Sequence, residues 1–155
     1  MQPGFDHVTI VVTDLDEAKR FFELLGFEMT HNVVVSGEAM SKYMGIADWE
    51  ADHVTLALAD AETHQEVQLL RFHNPPVDVD GETGNLARTG FNHVCFRVDD
   101  IDAMIERLQS GGIGIKNQLM TFHDRKLVFL RGPGGVTIEL AQWLAQPAAP
   151  DSSSQ

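Results

Sequence analysis

The chain has 155 residues, 43% of them hydrophobic and 22% charged, which fits one globular domain or two small modules sharing a core. Lys and Arg total 11 against 23 Asp and Glu, a formal charge of −12, which excludes a general nucleic-acid binder and makes an anionic membrane surface a poor partner. The single cysteine, Cys95, excludes an internal disulfide and a thiolate zinc cluster, so any metal must be held by imidazole, carboxylate or amide oxygen.

The first residues carry no basic segment and no long apolar run, and no stretch reaches the roughly 18 apolar residues of a membrane span. The expected location is the cytoplasm. An alternating strand covers His7 to Val12. Asp14 caps a helix over Leu15–Leu25, with Glu17 completing a capping box and Gly26 ending it. Leu15, Ala18, Phe22 and Leu25 recur at helical spacing. Strands are expected at Phe27 to Val35, His53 to Leu58 and Glu66 to Phe72. Between the first two lies an inserted segment, 36–52, which holds Met40, Tyr43, Met44, Ile46 and Trp49 and is expected to form a short helix over the site. That helix either caps an apolar substrate or packs as a core helix. After module 1 (residues 1–74), residues 75–90 read as an exposed Pro- and Gly-rich linker. The strand that matches the first starts at His93. A second helix, Ile101 to Gln109, is capped by Asp100 and stops at Ser110-Gly111-Gly112. Strands follow at Ile113 to Leu119, Lys126 to Arg131 and Val136 to Gln142, closing module 2 (residues 91–145). The tail, 146–155, is Ala, Pro and Ser with one acid and is expected to be disordered.

The order β-α-β-β-β therefore occurs twice, and the residues repeat as well. FDHVTIVVTDLDEA at 5–18 matches FNHVCFRVDDIDAM at 91–104 without a gap, and EVQLLRF at 66–72 matches TIELAQW at 137–143. His7 pairs with His93, and Gln68 with Glu139. Strand side chains alternate faces. Val8, Ile10, Val67, Leu69, Val94, Phe96, Ile138 and Leu140 form apolar faces expected to carry the helices. The opposite faces carry His7, Gln68, His93 and Glu139, together with Glu66 and Arg97. A pseudo-twofold pairing would bring the first four to one concave sheet, as a shared metal or polar binding site. Cys95 falls on the same face, although a small buried residue is the ordinary role for a lone cysteine. His31, His53, His64, His73 and His123 have no histidine partner in the repeat and read as surface or loop residues.

The doubled module, with DHVTIVVTDLDEAKRFFELLGF, NHVCFRVDDIDAMIERLQSGG and FLRGPGGVTIELAQ, resembles the vicinal oxygen chelate superfamily. That group includes glyoxalase I, methylmalonyl-CoA epimerase, extradiol dioxygenases, and fosfomycin and bleomycin resistance proteins. The resemblance covers residues 5–144. It implies an α+β fold in which two tandem βαβββ modules form a half-open, barrel-like sheet around a divalent metal, helices outside. By alignment the family's ligands fall on His7, Gln68, His93 and Glu139. Two imidazoles, a carboxylate and an amide oxygen suit Zn, Ni, Co, Mn or Fe.

The resemblance further implies a metal-dependent lyase or isomerase acting on a small molecule, in which a proton next to a carbonyl or thioester is removed, as in glyoxalase I or an epimerase. Glu139 is the first candidate base and Glu66 the second. Arg97 is the cation that would meet an anionic substrate. A homodimer is expected, because such modules often pair between chains. The segment 117–126 (NQLMTFHDRK) lacks the Gly-Ala-His-Gly loop of the epimerases, a departure that counts against a CoA substrate. His7, His93 and Glu139 alone would make the triad of an iron dioxygenase. A binding or resistance module without catalysis is the third alternative.

Overall fold

The computed structural model describes residues 1–145. The expected tail at 146–155 lies outside the described residues. In module 1, β1 (Val8–Val11) leads to α1 (Leu15–Leu24), β2 (Glu28–Ser36), α2 (Glu38–Met44), β3 (Glu50–Ala57) and β4 (Glu66–Asn74). In module 2, β5 (Val94–Arg97) leads to α3 (Ile101–Ser110), β6 (Ile115–Phe122), β7 (Arg125–Arg131) and β8 (Thr137–Trp143). The sequence boundaries move by one to three residues. The insertion shrinks most: β2 runs on to Ser36 and β3 begins at Glu50, so 37–49 is the extra segment rather than 36–52.

Each module is a four-stranded mixed sheet, ordered β1-β4-β3-β2 and β5-β8-β7-β6. The first strand of each pairs parallel with the last, Val8 opposite Val67 and Val94 opposite Ile138. The sheets are separate and are not closed into a barrel. Both major helices begin in the same way. The Asp14 carboxylate accepts from Glu17 N–H at 3.0 Å, and the Asp100 carboxylate accepts from Ala103 N–H at 3.0 Å, each satisfying an otherwise orphaned helix donor.

The apolar faces of the two sheets and the two capped helices share one core. Val54, Leu56, Val67, Leu69, Leu108, Leu130, Ile138 and Leu140 are all completely buried within it. An aromatic cluster joins the modules: Phe96 of β5 meets Phe27 at 5.4 Å and Phe22 at 6.3 Å, edge to face. The turn between β7 and β8 seats on β1. A Cβ on Gly134 would lie 2.7 Å from the Val11 carbonyl oxygen, and its φ of +65° is one that few residues other than glycine adopt.

A second, smaller cluster holds Trp49, Ala51 and Leu70, with Met40, Met44, Ile46 and Phe72 packed against it. Leu70 alternates with Gln68 and Glu66 along β4, so this cluster lies on the uncovered face of the first sheet. The helix α2 therefore packs, through Met40 and Met44 against Trp49, on the face of the first sheet that carries Gln68. Residues 75–90 are mostly exposed but are also tied down. Thr137 donates to the Gly84 carbonyl at 3.1 Å and Lys116 donates to the same oxygen. Arg88 pairs with Asp80 at 2.7 Å. Among the described residues no helix is long and apolar enough to cross a membrane.

Because the core is shared, Phe22→Ala is expected to cost about 3–5 kcal/mol, the usual range for a buried phenylalanine. Urea unfolding followed by fluorescence and by far-ultraviolet circular dichroism should give one coincident transition for both modules, shifted to lower urea in the variant.

Candidate metal centre

His7 immediately precedes β1, and its Nδ1 lies 2.5 Å from Asp6 Oδ1. Glu66 opens β4, the strand beside β1. Asp6, His7 and Glu66 bring one ligand atom each to within 4.8 Å of one another. Gln68 is two residues along the same face. Its Nε2 donates to Glu66 Oε1 at 2.7 Å, and its Oε1 lies 3.0 Å from His53 Nε2. The Glu66 carboxylate can only accept, so the Gln68 amide is oriented with nitrogen toward Glu66 and oxygen toward His53. The second oxygen of Glu66, Oε2, meets His64 Nε2 at 2.9 Å.

Module 2 repeats this arrangement with fewer partners. His93 Nδ1 lies 2.7 Å from Asn92 Oδ1, and its Nε2 lies 3.7 Å from Glu139 Oε1. The ring stands edge-on to Phe129 at 5.1 Å. Cys95 is opposite Glu139 in the ladder. It is solvent-exposed, which corrects the expectation of a buried cysteine. Desolvation, followed by the Glu139 carboxylate beside it, still pushes the thiol up to about 12. Arg97 is exposed on the same face as Cys95, two residues along β5.

The predicted ligands thus occupy two groups, His7 with Gln68 and Glu66, and His93 with Glu139. Among the described residues, Asp6, His7 and Glu66 form the one cluster of three or more His, Cys, Asp or Glu side chains with ligand atoms that close; His93 and Glu139 do not join it. Two of the histidines read as surface or loop residues belong to the first group: His53 is half-buried in β3 against Gln68, which corrects its assignment, whereas His64 is exposed in the loop before β4, as read, and meets Glu66 from there. His53 has no histidine counterpart because its place in module 2 falls on Leu127, the residue opposite Ala141 as His53 is opposite Leu70. Strand alternation along β3 was the available signal. His73, by contrast, lies in β4 on the other face, bridging Glu50 at 2.8 Å and Asp52 at 3.0 Å. His123 is in the β6–β7 turn against Phe122. By chemical type, two imidazoles each with a carboxylate alongside and one amide oxygen would suit a borderline divalent ion, although among the described residues only the Asp6, His7 and Glu66 donors lie close together as a group of three.

The chain belongs to the Glyoxalase/Bleomycin resistance protein/Dioxygenase superfamily, whose family model matches residues 4–140. Over 51 residues it is 41% identical to glyoxalase I of Saccharomyces cerevisiae, a match that spans 33% of this chain and 16% of the yeast protein. It is 25% identical over 136 residues to the uncharacterised YaeR protein of Escherichia coli, spanning 86% of this chain and 92% of that one. The solved structure of a glyoxalase-family protein from Bacillus cereus superposes with a TM-score of 0.82 at 31% identity, over 91% of this chain and 94% of the other.

A thiol titrating near 12 is almost wholly protonated at pH 8, and the thiolate is the nucleophile. Alkylation of Cys95 by iodoacetamide at pH 8 should run on the order of a hundred-fold slower than that of an ordinary thiol, and should keep accelerating above pH 10. Glu139→Gln should raise the rate at pH 8 in folded protein, because it removes the neighbouring negative charge.

Proposed function

We propose that the protein is a divalent-metal-dependent lyase or isomerase of the glyoxalase type, moving a proton next to a carbonyl or thioester of a small molecule. The observation that carries this reading is a repeat-matched histidine in each module with a carboxylate beside it, His7 with Glu66 and His93 with Glu139. His7, Gln68, His93 and Glu139 would hold the ion, one of Zn, Ni, Co, Mn or Fe. Bound there, it would supply Lewis-acid stabilisation of the charge that develops on neighbouring substrate oxygens.

Glu139 is the better base of the two candidates. Both oxygens of Glu66 are engaged, by the Gln68 amide and the His64 ring, so Glu66 serves to hold Gln68. Glu139 is itself largely shielded from solvent and stands 3.7 Å from the His93 ring. It would take the proton from the carbon next to the carbonyl and return it to the product. Arg97, exposed on the same face, would meet an anionic group of the substrate. The apolar cluster of Met40, Met44 and Leu70 is one strand step from Gln68 and would receive an apolar substituent. The repeat-matched Phe5 and Phe91 precede the two histidines and are 61% and 63% exposed, which supports burial against a second copy in a homodimer.

The test is deuterium exchange. Protein loaded separately with each of the five metals is incubated in D2O with the glutathione hemithioacetal of a 2-oxoaldehyde and with a branched acyl-CoA thioester. One substrate is expected to gain deuterium at the carbon next to the carbonyl, and Glu139→Gln should reduce turnover by about 10²–10⁴-fold. Oxygen consumption with a catechol, without exchange into either substrate, would contradict the proposal.

A further inference from the structure

We infer that Asp6 and Asn92 are a repeat-matched pair of positioning residues that hold His7 and His93 as Nδ1–H tautomers, so that both imidazoles meet the metal through Nε2. The inference rests on the metal-site reading above and concerns residues that neither the ligand alignment nor the base assignment includes. Asp6 and Asn92 occupy the same place in the two modules, each directly before its histidine. Each puts an oxygen on the Nδ1 of that histidine, at 2.5 Å for Asp6 and 2.7 Å for Asn92.

The chemistry of the partners determines the direction of both bonds. An ionised carboxylate has no proton to give, so His7 Nδ1 must be the donor to Asp6. Asn92 could in principle present either end of its amide. Its Nδ2, however, donates to the Leu86 carbonyl at 2.8 Å, and a carbonyl cannot donate back. The amide oxygen is therefore the end that faces His93, and His93 Nδ1 must be the donor. A neutral imidazole with its proton on Nδ1 has its lone pair on Nε2. In module 2 that nitrogen points toward Glu139, at 3.7 Å, beyond hydrogen-bond distance.

An outer acceptor on the far nitrogen fixes the ring orientation and raises the basicity of the ligating one. The two modules are not equal in this respect. Asp6 carries a charge and Asn92 does not, so His7 is the more strongly polarised ligand. Asn92 is held by a residue of the linker, which gives residues 75–90 a role in orienting the centre beyond joining the modules.

The test has two readouts. Long-range proton–nitrogen spectra of ¹⁵N-labelled, metal-free protein report the tautomers, and competition with a chromophoric chelator reports Zn(II) affinity. Wild type is expected to show Nδ1–H for both His7 and His93. Asp6→Ala and Asn92→Ala should each release one ring to the other tautomer and weaken Zn(II) binding by about 10–100-fold. Asp6→Asn and Asn92→Asp keep an acceptor oxygen, and should keep the tautomer and most of the affinity. Nε2–H rings in wild type, or alanine variants that are folded and bind Zn(II) as tightly as wild type, would overturn the inference. Wild-type Zn(II) affinity in both His7→Ala and His93→Ala would instead overturn the metal-site reading, a failure that the tautomer spectra report separately.

Discussion

Phe22 is fully buried, and its ring reaches Phe21 and Phe27 in its own module and Phe96 in the other. That contact expresses the constraint under which the whole molecule is built. A four-stranded sheet with one apolar face is not stable until that face is covered. Here each module has a single long helix, and the helix sides of both modules merge into one core. The seam is close: a Cβ on Gly111 after α3 would strike the Leu24 side chain of α1 at 2.6 Å. Once those faces are used up, the opposite faces remain, that of the first sheet covered in part by the Trp49 cluster, and strand alternation places His7, Gln68, His93 and Glu139 on them. The candidate chemistry depends on the hydrophobic seam through this geometry.

The duplication is exact in outline and unequal in detail. Glu66 in module 1 corresponds to Thr137 in module 2, which is 1% exposed and donates to the linker at Gly84. His53 corresponds to Leu127. Module 1 therefore holds a continuous row, His53–Gln68–Glu66–His64, in which each polar group has a partner. Module 2 holds Glu139 between an imidazole and a thiol. Under the proposed function, the first arrangement would hold a ligand rigidly and the second would exchange a proton, one half of the duplicated scaffold specialising in each.

The fold was largely legible because its determinants are local and occur twice. The Asp14 and Asp100 caps, the glycine stops and the alternating strands each follow from a few adjacent residues, and the second copy confirms the first. His53 was missed for the same reason: a search that trusts the repeat discards a residue whose counterpart is leucine. The ion pairs of His73, and the ties that hold the linker to Lys116 and Thr137, join residues far apart in the chain and have no periodic signature. The pair Asp6 and Asn92 is visible in the repeat, but its meaning lies in ring orientation. The Leu86 carbonyl fixes the Asn92 amide, and nothing in the spacing of the chain reports that contact.

The proposed function requires two imidazoles from different modules to reach one ion, with oxygen completing the set. X-ray absorption at the zinc edge of the Zn(II)-loaded protein tests this most directly. The predicted spectrum has a first shell of nitrogen and oxygen near ~2.0–2.1 Å with multiple scattering from two imidazoles. A single imidazole, or a sulfur shell near ~2.3 Å that would bring Cys95 to the metal, would contradict it.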